Sequence, residues 1–222
     1  ALQATDSIPI VFAMVDDPVA AGLVNSYARP GGNVTGVADA NTVLAPKRLE
    51  IFSKVVPSLK RVMFLYDGGD PDSVKQARVY REAGGRLGVE VLARPVGTEA
   101  EAQAILAKIG NGGIDGILSP VTVYLNIPGL VLEAATRHGI PTMFPGAFWL
   151  DQGALSSYAP SFYSSGLQAA RLVDKIIRGV KPRDIPVEVN NKIEFAISLK
   201  VAKTLGIKIS PEVLYQADRI DR

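Results

Sequence analysis

The chain has 222 residues, of which 47% are apolar, and carries 24 Lys plus Arg against 22 Asp plus Glu. The resulting net charge of +2 provides no strong field for nucleic acid or an anionic membrane, so a neutral or zwitterionic small partner fits better. The absence of cysteine removes disulfide frameworks, thiolate metal sites and thiol nucleophiles, and no apolar run approaches the ~18 residues that a membrane span requires.

Residues 8–15 form an unbroken apolar stretch of strand length, the pattern of a parallel strand covered on both faces. Asp17 and Pro18 then open a predicted helix, as N-cap and first helical residue, that runs to the stop at Gly31 and Gly32. A short strand at 34–38 follows. Leu49, Phe52 and Val56 recur at helical spacing within 43–56, and Pro57 marks the exit. The grammar then repeats: a strand at 61–66, a helix capped by Asp70 and Pro71 to about residue 87, and a strand at 89–93. Thr98 and Glu101 form a capping box ahead of a helix that ends at Gly110. Strands at 114–119 and 140–144 flank a helix at 127–138, which Gly139 stops.

A short strand at 154–158 precedes a long amphipathic helix at 162–178, with Leu167, Ala170, Val173 and Ile177 on one side. Residues 178–186 read as a crossing segment, 187–189 and 193–197 as extended pieces, and 200–205 as a short helix. Ser210 and Pro211 open a tail helix. Strands alternating with helices at this spacing imply an α/β fold with a doubly wound parallel sheet. The portion before Pro57 has two strands, too few for an independently stable open sheet. It requires completion by C-terminal elements, a second chain or residues ahead of Ala1.

Several segments carry a family resemblance: Ile8 to Ala13, Asp17-Pro18-Val19, Ala21 to Val24, and above all Arg29-Pro30-Gly31-Gly32-Asn33-Val34-Thr35-Gly36. Lys47 to Glu50, Val173 to Ile176, Gly179 to Pro182, Ile185 to Glu188 and Ala202 to Gly206 follow in the same order and spacing. The chain thus resembles, over essentially its whole length, the ABC-transporter substrate-binding family that includes tryptophan-binding lipoproteins. The resemblance implies a type I periplasmic binding fold, in which two Rossmann-like lobes joined by crossover strands close on a small ligand and present it to a membrane permease. It implies a periplasmic or extracytoplasmic location, although the chain has no charged N-terminal region followed by an apolar export stretch. The expected division is a partial first lobe from 1–57 and about 160–184, and a second lobe from 58–159 and about 185–222. At roughly 30 residues per βαβ unit, the first lobe is about 80 residues short at its N-terminus, a deficit that self-association could also fill.

Ligands of open parallel sheets gather at the carboxyl ends of strands, where loops and helix N-termini converge. That rule selects Asp16, Asp39, Asp67, Thr122, Tyr124, Phe144, Gly146 and Trp149. Asp17 is better explained as a helix cap than as a ligand contact, which leaves Asp16 freer to face a ligand. Asp39 and Asp67 are carboxylates that could hold a substrate ammonium, or else solvated turn residues. Thr122 could donate to a ligand carboxylate or cap a helix. Tyr66, Tyr124, Phe144 and Trp149 could wall an aromatic ligand, with core packing the stronger reading for Tyr66 and Phe144, and Trp149 the stronger pocket or hinge residue.

His138, the sole histidine, occupies the last turn of a helix, where a cation favours the dipole and a structural role suffices. With one histidine and no cysteine, neither a Ser-His-Asp triad nor a histidine metal cluster can be assembled. No nucleotide-binding fingerprint or nucleophile elbow is present either. The expectation is therefore a solute receptor without cofactor, metal or catalytic residue, binding an amino acid or an aromatic or branched acid. A ligand-sensing regulatory domain of the same architecture is the alternative, and it would need a DNA-binding element not visible here.

Overall fold

The computed structural model describes residues 4–39, 41–120, 125 and 129–222. Within them the chain forms two compact units, Ala1–Asn41 with Pro160–Ile193, and Thr42–Ala159 with Glu194–Arg222, so it passes from one to the other at 41/42, 159/160 and 193/194.

The first unit is built on β1 (Ile10–Val15), β2 (Val34–Ala38) and the two-residue β8 (Glu188–Val189), in the order β1-β2-β8 with both pairings parallel. Its third strand comes from the C-terminal half of the chain. Alternation along β1 divides its apolar run between two faces. Ile10 and Phe12 pack with Val34, Ala38, Val187, Leu23 and Val24, while Val11 packs with Val37, Leu172 and Ile185 beneath α5 (Phe162–Ile177). The predicted helix after Asp17 is instead a single turn. Asp17 does cap it, its Oδ1 accepting from the Ala20 amide at 3.0 Å, but Gly22 takes a left-handed φ of 67° and the chain leaves as a loop. That loop covers the sheet in the helix's place.

Gly36 of β2 lies directly over Phe12. A Cβ there would fall inside van der Waals distance of the Phe12 carbonyl oxygen and ring. Because a backbone atom cannot swing aside, Gly36→Ala is expected to cost about 2 kcal/mol by overpacking. Differential scanning calorimetry should then record a melting temperature lowered by roughly 4–8 °C.

The second unit holds a seven-stranded sheet in the order β10-β9-β7-β6-β5-β3-β4. Its strands are β3 (Arg61–Asp67), β4 (Glu90–Val96), β5 (Gly116–Leu118), β6 (Thr142–Phe144), β7 (Ser156–Pro160), β9 (Ile193–Ser198) and β10 (Arg219–Asp221). The β3–β4, β3–β5, β5–β6, β6–β7 and β9–β10 pairings are parallel. Helices α1 (Asn41–Val55) and α2 (Pro71–Leu87) bury Leu49, Phe52, Ala77 and Tyr80 against Val62 and Phe64 on one face. Helices α3 (Glu99–Leu106) and α4 (Leu130–His138) bury Ala102, Leu106, Val131 and Ala135 against Met63, Leu65 and Ile117 on the other. The short helices α6 (Leu199–Thr204) and α7 (Pro211–Tyr215) add Ala202 and Val213 to the first of these cores.

Two boundaries differ from the sequence reading. Residues 42–57 belong to the second unit, because Leu49, Phe52 and Val55 of α1 are part of its core. Residues 185–193 stay with the first unit, because β8 pairs with β2. The final strand, β10, lies in a region read as helical tail. The Asp218 carboxylate accepts from the Phe195 amide at 2.9 Å and leads the chain alongside β9.

The sheet edges are unequal. β4 carries Glu90, Arg94 and Pro95, and β10 carries Arg219 and Asp221. β1, which among the described residues pairs with β2 alone, reads Ile-Val-Phe-Ala-Met-Val. A bulge interrupts it between Phe12 and Val15, where Met14 adopts a left-handed φ of 62° with its side chain 54% exposed.

Candidate functional site

The carboxyl ends of β1, β2 and β8 bring together acidic and amide groups in the first unit. Asp39 follows β2 and is 2% exposed. Its amide donates to the Val15 carbonyl at 2.8 Å, tying it to the end of β1. Its Oδ1 accepts from the Ser165 hydroxyl at 3.2 Å. Its Oδ2 is buried without a hydrogen-bond partner among the described residues. Burial pushes the Asp39 carboxyl above the usual carboxylate range and the nearby Asp16 charge adds to this, while Ser165 and Asn190 pull the other way. A buried carboxylate with one oxygen unsatisfied is costly unless a cation or a proton meets it.

Ser165 and Asn190, each 1% exposed, complete the cluster. The Asn190 side-chain amide donates to the Ser165 hydroxyl at 2.7 Å and to the Ser161 carbonyl at 3.0 Å, while its own amide N–H donates to the Ala38 carbonyl. Asp16 is half-buried just past β1. Burial raises the Tyr27 phenol, and the charges of Asp17 and Asp16 raise it further, so this end of the unit carries a negative field.

The predicted positions of the second unit fall out differently. Asp67, at the end of β3, accepts from the Gly69 amide at 2.8 Å and so closes its own turn. Phe144 is fully buried and Trp149 8% exposed. Their rings lie 4.9 Å apart, tilted by 38°, in a core with Leu125, Val131 and Ile117, so Trp149 packs with the core. Gly146 is extended, with φ of 175°, and its carbonyl accepts from the Trp149 amide at 3.3 Å. Phe148, 45% exposed and 4.9 Å from Trp149, is the more accessible ring of that loop. Thr122 and Tyr124 lie outside the described residues. His138 packs against Gly110 at the amino ends of the strands, beside a shallow cavity of about 310 Å³.

The sequence singled out Asp39 and Asp16, which meet in this cluster, and did not single out Ser165 and Asn190. A signal existed for Ser165, because it falls on the same face of α5 as Ala169, Leu172 and Ile176, which pack on the sheet, where an apolar residue belongs. Asn190 had only its place after a short strand.

Residues 1–220 match the family model described as ABC transporter substrate binding protein. The chain belongs to that family. A tyrosine-binding protein of Clostridioides difficile is 28% identical over 209 residues, which are 94% of this chain and 60% of that protein, so the chain spans about 60% of the length of this curated relative. A Streptococcus pneumoniae ABC domain solved in complex with L-Trp is 26% identical with a TM-score of 0.86, covering 99% of this chain and 74% of that one. A sugar-transport substrate-binding protein from Bordetella parapertussis, 16% identical with a TM-score of 0.55 over 85% of this chain and 62% of its own, shares the fold alone. The fold is of the type I periplasmic-binding kind, as the resemblance implied.

Proposed function

We propose that this substrate-binding family member acts as the solute receptor of an ABC transporter, working outside the cytoplasm and handing a small amine-bearing ligand to a membrane permease. The observation that carries the ligand class is the second oxygen of Asp39, buried at the carboxyl end of β2 without a hydrogen-bond partner among the described residues. A primary ammonium there would supply both the missing hydrogen bond and the missing charge, forming a charge-assisted contact. Asp16, adding to the negative field, favours the same cation. The relatives named for tyrosine and solved with L-Trp support an aromatic α-amino acid as the ligand. Nothing in this role requires catalysis or a cofactor.

The test is a thermal-shift and calorimetric panel of L-tryptophan and L-tyrosine against 3-indolepropionate and 3-(4-hydroxyphenyl)propionate, which lack the amine. A ligand at 1,000 times its dissociation constant should stabilise the protein by about 4 kcal/mol. The deaminated analogues should bind about 100-fold more weakly, the worth of a good charge-assisted hydrogen bond. If amine and desamino compounds bind alike, or if no amino acid shifts the melting temperature, the reading is wrong.

A further inference from the structure

We infer that Ser165 and Asn190 are positioning residues for ligand capture: a one-directional hydrogen-bond relay through them occupies Asp39 Oδ1, so that Oδ2 is the oxygen offered to the ligand. The inference rests on the amine-binding reading above and concerns residues that the reading does not use.

The direction of each bond is forced. The Lys192 backbone amide donates to Asn190 Oδ1 at 3.0 Å, which fixes which end of the Asn190 side chain is the donor. That donor, Nδ2, reaches the Ser165 hydroxyl oxygen at 2.7 Å and the Ser161 carbonyl at 3.0 Å. A serine hydroxyl has a single proton. With its oxygen already accepting from Asn190, that proton points to Asp39 Oδ1, 3.2 Å away. The relay therefore presents the Ser165 hydroxyl to Oδ1, while Oδ2 has no hydrogen-bond partner among the described residues. Among the described residues, the side chains that act on Asp39 are Asp16 from the end of β1, Ser165 from α5 and Asn190 from the segment after β8, and of these Asp16 is the charged one. If the relay merely satisfied buried groups, Oδ2 would be expected to receive a donor as well.

The placement of the relay along the chain adds a second argument. Asp39 lies just before the passage at 41/42, Ser161 and Ser165 just after 159/160, and Asn190 and Lys192 just before 193/194. Residues of this one network thus lie close in sequence to each of the three passages.

The test compares the unmodified protein with Ser165→Ala and Ser165→Thr, using calorimetric titration with L-tryptophan and 3-indolepropionate between pH 5 and 9, with melting temperatures recorded alongside. Removing the hydroxyl withdraws a hydrogen bond that favours ionised Asp39, so the carboxyl rises further. Ser165→Ala should bind L-tryptophan about tenfold more weakly at pH 7, and the pH at which affinity is half lost on acidification should move upward. Binding of 3-indolepropionate should not change, and Ser165→Thr should restore the L-tryptophan profile. Equal losses for both probes would mark a structural role and overturn the inference. Should the unmodified protein bind L-tryptophan while Ser165→Ala keeps its affinity and midpoint, this inference alone fails. Absence of L-tryptophan binding by the unmodified protein at every pH brings down the proposed function and the inference with it.

Discussion

Replacing Asp39 by asparagine is expected to weaken amine binding about 100-fold and, at the same time, to raise the melting temperature of the ligand-free protein. The two effects share one cause. The carboxylate is buried with one oxygen lacking a donor among the described residues, and its pKa is raised, first by burial and then by Asp16. A carboxyl whose folded pKa lies above its unfolded value binds more protons in the native state. Stability therefore falls as pH rises through the window between the two values, and the ionised form is a standing cost above it. Asparagine keeps the shape and the acceptor for Ser165 while removing the charge. A gain of about 1 kcal/mol corresponds to roughly 2–4 °C for a protein of this size. Calorimetric titration and scanning calorimetry on the same samples at pH 7 check both halves, and at pH 4 the gain in melting temperature should shrink. A variant that binds amines normally, or that melts lower at pH 7, would contradict the assignment of Asp39.

The largest loss of stability is expected from Arg48→Ala, at about 4 kcal/mol. Arg48 on α1 is 1% exposed. Its Nε donates to the Tyr158 carbonyl at 2.7 Å and its Nη1 to the Tyr80 hydroxyl at 3.0 Å, joining α1 to β7 and α2 within the second unit. Truncation leaves both acceptors without this donor and opens a cavity beside Phe64 and Tyr80, whose rings lie 4.8 Å apart. Tyr80→Phe removes one of the bonds and keeps the volume, so it should cost about 1 kcal/mol. Urea denaturation of the two variants measures the contrast, and equal small losses would show that the arginine is not holding these elements together.

Much of the fold was legible because local rules and the global plan agree. Asp70 caps α2 through the Asp72 and Ser73 amides, Pro71 opens it and Gly88 ends it in the left-handed region, each as its residue type dictates. Thr98 accepts from the Glu101 amide, and Glu101 reaches back to the Gly97 amide at 2.8 Å, one residue beyond the reciprocal box. The failures have physical causes too. The single turn after Asp17 ends at Gly22, a stop inside a segment whose apolar residues still pack on the sheet, so periodicity could not distinguish a helix from a covering loop. β10 has three residues and lies in a stretch where Ser210 and Pro211 give a helix start but nothing local signals the strand.

The candidate site divides along similar lines. Asp39 stood out because a carboxylate following a strand marks the end of a parallel sheet where ligands collect. The packing of Trp149 against Phe144 was not legible, because an aromatic flanked by glycines in a loop carries no sign of the ring beside it. The relay through Asn190 could not be read at all, since it joins residues far apart in sequence across β2, β8 and α5.

The unequal sheet edges set where a further strand can join. Charged side chains on β4 and β10, with a proline on β4, discourage a visiting strand, and β8 is two residues long. Among the described residues β1 has no such guard along Ile10 to Phe12, and its bulge blunts the half beyond. Those three residues are where the backbone of the first unit is open to an added strand, whether from elsewhere in the protein or from another molecule.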